Sequence, residues 1–195
     1  MPRSGEAARE RLRDAALALY RDQGYEQTTT AEIAARAGVN HRTFFRHFPD
    51  KREVLFMGEK ELHDALVHAL SEAPSTLAPL AALMTAFIAS AHVLEDNRES
   101  GITRLRLIAE TPALRERDLA KGAMLTESLS QGLAQRGESP RVAGVAAAVG
   151  WATFHEAASN WIADSDTPLE QHLRSAFSTL ADLASSHELV TTPLP

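Results

Sequence analysis

Apolar residues recur at intervals of three and four along almost the whole chain, whereas no segment alternates strictly between apolar and polar residues. The first spacing places side chains on one face of an α-helix, and strict alternation is what a half-buried strand requires. A clear example is the stripe of Leu12, Ala16 and Leu19, which is followed by Gly24, a residue suited to a left-handed helix cap. We therefore predict an all-α fold.

Helix boundaries are marked by capping residues and prolines. Thr29 with Glu32, and Asp50 with Glu53, have the spacing of capping boxes, and Gly38-Val39-Asn40 supplies a tight turn with a cap residue. A proline directly follows each of Thr111, Ser139 and Thr167. A proline in the first helical position loses no hydrogen bond. After short helices that end near Ala37 and Phe48, these signals predict helices at 50–73, 77–96, 101–110, 113–136, 140–164 and 168–187.

Charge is divided unevenly along the 195 residues, whose net charge is −6. Residues 1–52 carry a net charge of +3, and the remainder carries −9. Since salt screens charges beyond about 8 Å, the local potential decides what a surface attracts. The N-terminal quarter can therefore meet DNA, although +3 is modest, and we expect this region to need a partner or a second copy.

Several classes of protein are disfavoured by what the chain lacks. It has no cysteine, which excludes disulfides, Cys-ligated zinc and thiol nucleophiles and makes the cytoplasm the default location. It has no run of roughly 18 apolar residues and no signal-peptide pattern, so we expect no membrane association. The motifs of serine hydrolases, zinc proteases and phosphate-binding loops are missing, and the histidines lack metal-ligand spacing. We expect no enzyme, no metal site and no cofactor.

The most informative segment is residues 28–51, which the pattern predicts to be helix, glycine turn and helix. Phe44 and Phe48 lie four residues apart and are expected to face a small core, so that the opposite side of the second helix faces outward. Arg, Asn and His side chains bind base edges in the major groove, and Thr can contact a thymine methyl group. The predicted DNA-binding residues are Thr29, Thr30, Asn40, His41, Arg42, Thr43, Phe45, Arg46, His47 and Lys51, of which Thr30, His47 and Lys51 are expected to contact phosphate. Arg42 and Thr43 read bases in this interpretation, with solvated or phosphate-bound side chains as the alternative.

These residues resemble the N-terminal domain of TetR-family transcriptional regulators over roughly the first 60 positions. The family pattern is met by Thr29, Glu32, Ile33, Ala34, Ala37, Gly38, Val39, Thr43, Phe44, Phe45, His47, Phe48, Lys51 and Leu55. Position 45 departs from it, because the family commonly has a Tyr whose hydroxyl binds a phosphate. For Phe45 the resemblance implies only van der Waals contact with the sugar-phosphate backbone.

The resemblance implies a homodimer with two domains, a helix-turn-helix DNA-binding domain at 1–52 and an effector-binding and dimerisation domain at 74–195. The helix at 50–73 is expected to connect them. Residues 102–117 are similar to the regulatory domain of the mycofactocin-system branch of TetR-like regulators. In this family the last two long helices, here 140–164 and 168–187, pair with those of the partner as a four-helix bundle.

An unknown small-molecule effector is expected in the C-terminal domain. Its candidate pocket residues are Met84, Phe87, Arg106, Trp151, Phe154 and His155, with plain core or dimer interface as the alternative. Arg104 and Arg106 lie in an apolar run, where a buried Arg either pairs with an acidic side chain such as Glu110 or binds an anionic effector. We favour the ion pair.

The resulting hypothesis is a sequence-specific DNA-binding regulator, a repressor that a small molecule releases from a palindromic double-stranded operator. The first alternative is a structural DNA-associated protein of the same fold that has no effector. The second is a helical ligand-binding or enzymatic protein whose N-terminal domain has lost its DNA role.

Overall fold

Ten helices and no strand make up the regular structure of the residues that the computed structural model describes, which are 3–96, 98–164 and 166–185. This confirms the all-α prediction. The last two residues of the helix predicted at 168–187 lie outside the described ranges. In chain order the helices are α1 (Arg3–Gln23), α2 (Thr30–Arg36), α3 (His41–His47), α4 (Glu59–Glu72), α5 (Pro79–Ala89), α6 (Ala91–Glu95), α7 (Arg98–Glu110), α8 (Pro112–Gln135), α9 (Pro140–Ala163) and α10 (Leu169–Ser185).

Most of the predicted boundaries are found where the capping residues place them. Gly24 has φ +86° and its N–H donates to the carbonyl of Tyr20 at 3.0 Å, which ends α1 as predicted. Ser139 accepts a hydrogen bond from the N–H of Val142 and starts α9 immediately before Pro140. The single helix predicted at 77–96 is instead two helices, because the backbone at Ser90 turns to φ −96° and ψ 0° and separates α5 from α6.

The helix predicted at 50–73 begins later than expected, at Glu59. Residues 51–58 form consecutive turns in which each hydrogen bond spans three residues, such as Leu55 N–H to Arg52 O at 3.0 Å, and Gly58 has φ +97°. Three successive apolar residues, 54–56, are all buried. An α-helix would turn three such residues through about 200° and expose one of them, whereas the tighter turns hold all three against the core.

The described residues up to Lys60, together with those from Arg98 to Ala120, form one compact unit, which we call the N-terminal unit. Its helices α1, α2 and α3 pack in sequence, and α7 packs on α1. The core contains Leu12, Tyr20, Ile33, Phe44 and Phe48, and also Leu107, Ile108 and Leu114 from the later segment. The N-terminal unit therefore includes a segment that follows residue 74, and the functional boundaries predicted at 1–52 and 74–195 stay a prediction.

The second unit comprises Glu61–Asp96 and the described residues from Lys121 onward. Helix α9 packs against α10 and α5, and α10 packs against α5. Small residues allow close approach here, since a Cβ on Gly150 would lie 2.7 Å from Leu83 Cδ1. Within the described ranges, no helix is long and apolar enough to cross a membrane.

Candidate nucleic-acid interface

Two short capped helices and a glycine turn build the candidate site. The predicted capping box of α2 is confirmed, because Thr29 Oγ1 accepts from the Glu32 N–H at 3.2 Å while the Glu32 carboxylate accepts from the Thr29 N–H at 2.8 Å. These hydrogen bonds from Thr29 hold the pKa of the Glu32 carboxyl below its usual value. Gly38 has φ +67°, a conformation that favours glycine. Asn40 then caps α3 by accepting from the Thr43 N–H at 2.8 Å.

The inner face of α3 is aromatic, as predicted. Phe44 and Phe48 are both buried, with their ring centroids 5.8 Å apart, and they belong to the same core as Ile33 and Ala34 of α2. Burying a Phe side chain stabilises a fold by about 1.5–3 kcal/mol. These two rings therefore fix the rotation of α3 about its own axis and determine which of its residues face outward.

Arg42 and Arg46 lie four residues apart on α3 and are both exposed. Neither guanidinium makes a hydrogen bond or ion pair with any residue in the described part of the chain. Residues four apart lie on one face of a helix, so the two side chains point the same way. The outward face thus presents two unpaired cations, each with five N–H donors in a planar fork.

The other predicted base-contacting residues and the predicted phosphate contact Thr30 are engaged in hydrogen bonds within the protein. Asn40 Oδ1 accepts from both the N–H and the hydroxyl of Thr43, at 2.8 and 3.0 Å. His41 Nε2 lies 2.8 Å from Thr30 Oγ1 on α2, which ties the first turn of α3 to the first turn of α2. These four side chains stabilise the arrangement of the two helices in addition to any contact they make with DNA.

Phe45 is the large apolar side chain that α3 leaves open, with 51% of its surface exposed. Its ring is held edge-on by Phe44 and His41, with centroid separations of 5.3 and 4.9 Å. Edge-to-face contacts of this kind stabilise an aromatic pair. Phe45 therefore offers a supported apolar surface beside the two arginines.

His47 lies half-buried at the end of α3, and its Nε2 is buried without a hydrogen-bond partner among the described residues. Burial, together with the positive charges of Arg46 and Arg9, lowers the pKa of the imidazole. His47 is therefore neutral at pH 7, and a neutral imidazole attracts phosphate less strongly than the cation does.

The ammonium of Lys51, a predicted phosphate contact, is engaged within the protein, and the phosphate contact stays a prediction. Its Nζ donates to the backbone carbonyls of Tyr25, Glu26 and Thr28 at 2.8, 3.2 and 2.9 Å, and it lies 4.4 Å from the centre of the Tyr25 ring. An ammonium has three N–H donors, so all three are used within the protein. Tyr20 Oη also donates to the Lys51 carbonyl at 2.7 Å. Lys51 thereby joins the turn after α3 to the turn before α2.

The candidate effector residues are divided between the two units. Arg106 is exposed on α7 in the N-terminal unit, whereas the other five lie in the second unit. There Phe87 and Phe154 are buried with centroids 4.6 Å apart, and Trp151 stacks on Phe154 at 5.1 Å. Met84 is half-buried and His155 is exposed. This aromatic cluster fills core space, in agreement with the plain-core alternative, and the pocket assignment stays a prediction.

Sequence reasoning missed two groups of side chains near the site. The Tyr20 and Tyr25 contacts with Lys51 join residues that are more than 20 positions apart, and no local pattern predicts such a pairing. The favoured ion pair is confirmed for Arg104, although its partners are Asp118 and Glu59 rather than Glu110, and the pair of Arg117 with Glu53 was not predicted. Among the described residues, no three metal-binding side chains converge on one point.

Comparison with known proteins agrees with the geometry of α2 and α3. Residues 12–56 match the family model described as bacterial regulatory proteins, tetR family, and residues 77–184 match the model of the MftR C-terminal domain. The HTH-type transcriptional regulator TcmR of Streptomyces glaucescens is 34% identical over 66% of this chain, and the match spans 59% of its own length. The putative mycofactocin biosynthesis transcriptional regulator MftR of Mycobacterium tuberculosis is 25% identical over 91% of this chain and 94% of its own.

Solved structures of the same fold cover almost the whole chain. The Thermus thermophilus repressor FadR, solved in complex with lauroyl-CoA, is 21% identical and has a TM-score of 0.57 over 96% of this chain and 100% of its own. The SmeT–triclosan complex is 22% identical, with a TM-score of 0.62 over 97% and 99% of the two chains. One family model spans the helix-turn-helix, and the other spans more than half of the chain. The chain therefore belongs to the TetR family of bacterial DNA-binding transcriptional regulators and carries an MftR-type C-terminal domain.

Proposed function

We propose that this protein is a homodimeric repressor that binds a palindromic operator and leaves it when a small molecule binds the second unit. The observation that carries the proposal is the outward face of α3, where Arg42 and Arg46 are exposed and unpaired within the described part of the chain. A planar guanidinium forms two parallel hydrogen bonds with O6 and N7 of guanine. Two such groups on one face are suited to read guanines in the major groove.

The remaining side chains of the site have supporting roles in this proposal. Asn40, Thr43, His41 and Thr30 hold α3 against α2 through the hydrogen bonds described above and present their remaining donors to DNA. Thr29 at the start of α2 and the neutral His47 are placed beside the phosphate backbone. Phe45 contributes van der Waals contact through its exposed ring face.

Dimerisation is proposed to use α9 and α10. Val142 and Val145 on α9 and Leu183 on α10 are exposed, with 61% of the Val145 side chain accessible in the single chain. Exposed apolar residues on adjacent helices are typical of a face that packs against a second copy. A dimer places two recognition helices about 34 Å apart, in successive major grooves of a palindrome.

The proposed release follows from that spacing. FadR from Thermus thermophilus and SmeT were each solved with a small molecule, lauroyl-CoA and triclosan respectively, and both share this fold. A molecule that binds the second unit more tightly in a wrongly spaced dimer shifts the population towards that dimer. Because two helices must bind at once, a change of a few ångströms is enough to lower affinity.

The test is selection of bound sequences from a random double-stranded DNA library, followed by fluorescence anisotropy on the selected duplex. We expect an inverted repeat with guanine in each half. Arg42→Ala should weaken binding by about 1–3 kcal/mol and relax the preference at one position of each half. Arg11→Ala on α1 is the matched control, since it removes the same charge from the same unit. If Arg42→Ala and Arg11→Ala lose the same binding free energy on selected and on random DNA, Arg42 does not read bases.

The well-filled aromatic core of the second unit favours one alternative, a structural DNA-associated protein of the same fold that has no effector. Such a protein would bind selected and random DNA with similar affinity. It would also show no change in DNA affinity across a small-molecule screen.

A further inference from the structure

The N-terminal unit contains a segment that lies much later in the sequence than its other residues. Residues 98–120, which form α7 and the first part of α8, contribute Leu107, Ile108 and Leu114 to the core that supports α3. The stability of the helix-turn-helix therefore depends on a segment that belongs in sequence to the MftR-type region.

Two arginines of this segment bind acidic residues on the turn after α3, at the start of α4 and within the segment itself. Arg117 Nε donates to Glu53 Oε1 at 2.7 Å. Arg104 Nη2 donates to Asp118 Oδ1 at 2.6 Å and to Glu59 Oε1 at 3.4 Å. We call these five residues the clasp. Their side chains are only 18–39% exposed, so solvent screens the clasp less than it screens a fully exposed ion pair.

The arginines of the clasp bind acidic residues near both ends of the turn at 51–58. Glu53 lies near its start and Glu59 directly follows Gly58, while the Arg104 guanidinium also lies 5.3 Å from the centre of the Phe56 ring. Turns whose hydrogen bonds span three residues are less regular than an α-helix, so tertiary contacts decide where such a segment lies. The same turn begins at Lys51, whose ammonium holds the residues before α2.

We propose that the clasp controls the DNA-binding competence of α3, with Arg104 and Arg117 as positioning residues. This inference rests on the proposed function, in which α3 binds the operator. While the pairs are formed, the turn holds α3 and the start of α2 in the arrangement that fits the major groove. When the pairs are broken, the turn loosens and operator affinity falls.

Charge-reversal variants distinguish the positioning role of the clasp from a general electrostatic attraction to DNA. Glu53→Arg makes the unit more positive by two charges, which by itself strengthens attraction to DNA. The clasp predicts the opposite, a loss of operator affinity of roughly 3- to 10-fold, because the introduced guanidinium would repel Arg117. Arg117→Glu should cause a loss of similar size. The double variant Glu53→Arg/Arg117→Glu restores the pair with its signs exchanged and should recover affinity to within about twofold.

The matched control is the ion pair between Arg36 and Asp22, which joins α2 to α1 in the same unit at 3.3 Å. Asp22→Arg changes the charge by the same amount as Glu53→Arg without touching the clasp. We expect its operator affinity to be unchanged or higher.

The experiment combines anisotropy on the selected operator with amide hydrogen exchange of the full-length variants. The rate of amide hydrogen exchange at residues 51–58 should rise in the two single clasp variants. It should return to the wild-type rate in the double variant. In Asp22→Arg it should stay at the wild-type rate. Unchanged exchange in the single variants, or faster exchange with undiminished affinity, would overturn the clasp. A wild-type protein that selects no DNA sequence would refute the proposed function, and the exchange data would still decide whether the clasp holds the turn.

Discussion

Replacing Lys51 by Met removes the ammonium while keeping an unbranched side chain of similar length. In the structure this ammonium donates to three backbone carbonyls and lies over the Tyr25 ring. The expected consequence is loss of stability in the N-terminal unit rather than loss of a DNA contact, because every donor of the group is already used inside the protein.

The size of the effect follows from the environment of each hydrogen bond. The bonds to Tyr25 and Thr28 are partly buried, and the bond to Glu26 is exposed. A hydrogen bond to a charged group contributes about 1.5–3 kcal/mol, so two partly buried ones at the low end amount to about 3 kcal/mol. For a chain of this size that corresponds to a decrease in Tm of roughly 6–12 °C.

Thermal unfolding and the salt dependence of operator binding test the two roles of Lys51 separately. Each phosphate contact contributes about 0.9 to the slope of log K against log salt concentration, so two Lys51 residues in a dimer would contribute about 1.8. We expect Lys51→Met to lower Tm. At temperatures where the variant is still folded, we expect the slope of log K against log salt concentration to be unchanged. Arg11→Met, at an exposed residue of the same unit, controls for the loss of one positive charge. A slope that falls by about 1.8 with an unaltered Tm would refute the structural role and restore Lys51 as a phosphate contact.

Three further predictions concern other parts of the molecule. Val145→Asp places a charge on the exposed apolar face of α9 and should give monomers by light scattering, with a large loss of operator affinity. Burial raises the pKa of Tyr25 from its usual 10 to about 12 and raises that of Tyr20 further, so both remain neutral in the folded state when the unfolded chain has ionised. The contribution of the two tyrosines to stability should therefore be constant below pH 10 and fall as the pH rises above 10, with delayed phenolate absorbance at 295 nm, since the chain has only these two tyrosines. Thr29→Ala removes half of the α2 capping box and should lower the free energy of unfolding by about 1 kcal/mol in urea titrations, whereas Thr29→Ser should lower it less.

Each of these three predictions would be contradicted by a specific result. A Val145→Asp protein that stays dimeric would place the dimer interface elsewhere. Tyrosine ionisation with a midpoint near pH 10 in the folded protein would show that neither phenol is shielded. Equal stability of Thr29→Ala and wild type would mean that the capping hydrogen bonds add nothing beyond those that water supplies.

Local signals in the sequence were sufficient for the helix-turn-helix. Glu32 three residues after Thr29, Gly38 in the turn and Asn40 as a cap are short-range patterns, and each of them forms the hydrogen bonds or backbone angle that its chemistry requires. The inward orientation of Phe44 and Phe48 follows from their spacing of four residues. Such features are predictable because the interacting atoms are close in sequence.

Tertiary contacts override local preference where the predictions fail. The capping signal at Asp50 predicts a helix from that point, but Val54, Leu55 and Phe56 are buried together, and an α-helix cannot face all three inward. The internal partners of Lys51 could not be predicted either, because they are the carbonyls of residues 23 to 26 positions earlier. Arg117 pairs with Glu53 on the turn after α3, and Arg104 pairs with Asp118 on α8 and with Glu59 at the start of α4. These pairings depend on how α7 and α8 pack.

The recognition helix α3 is only seven residues long. An isolated helix of fewer than about 12 residues is marginal in water, so α3 exists as long as its supporting core does. A modest core substitution in the N-terminal unit would therefore act as a temperature-sensitive allele. Gene control would be normal in cool cultures and lost on warming, although no residue that faces DNA had been changed.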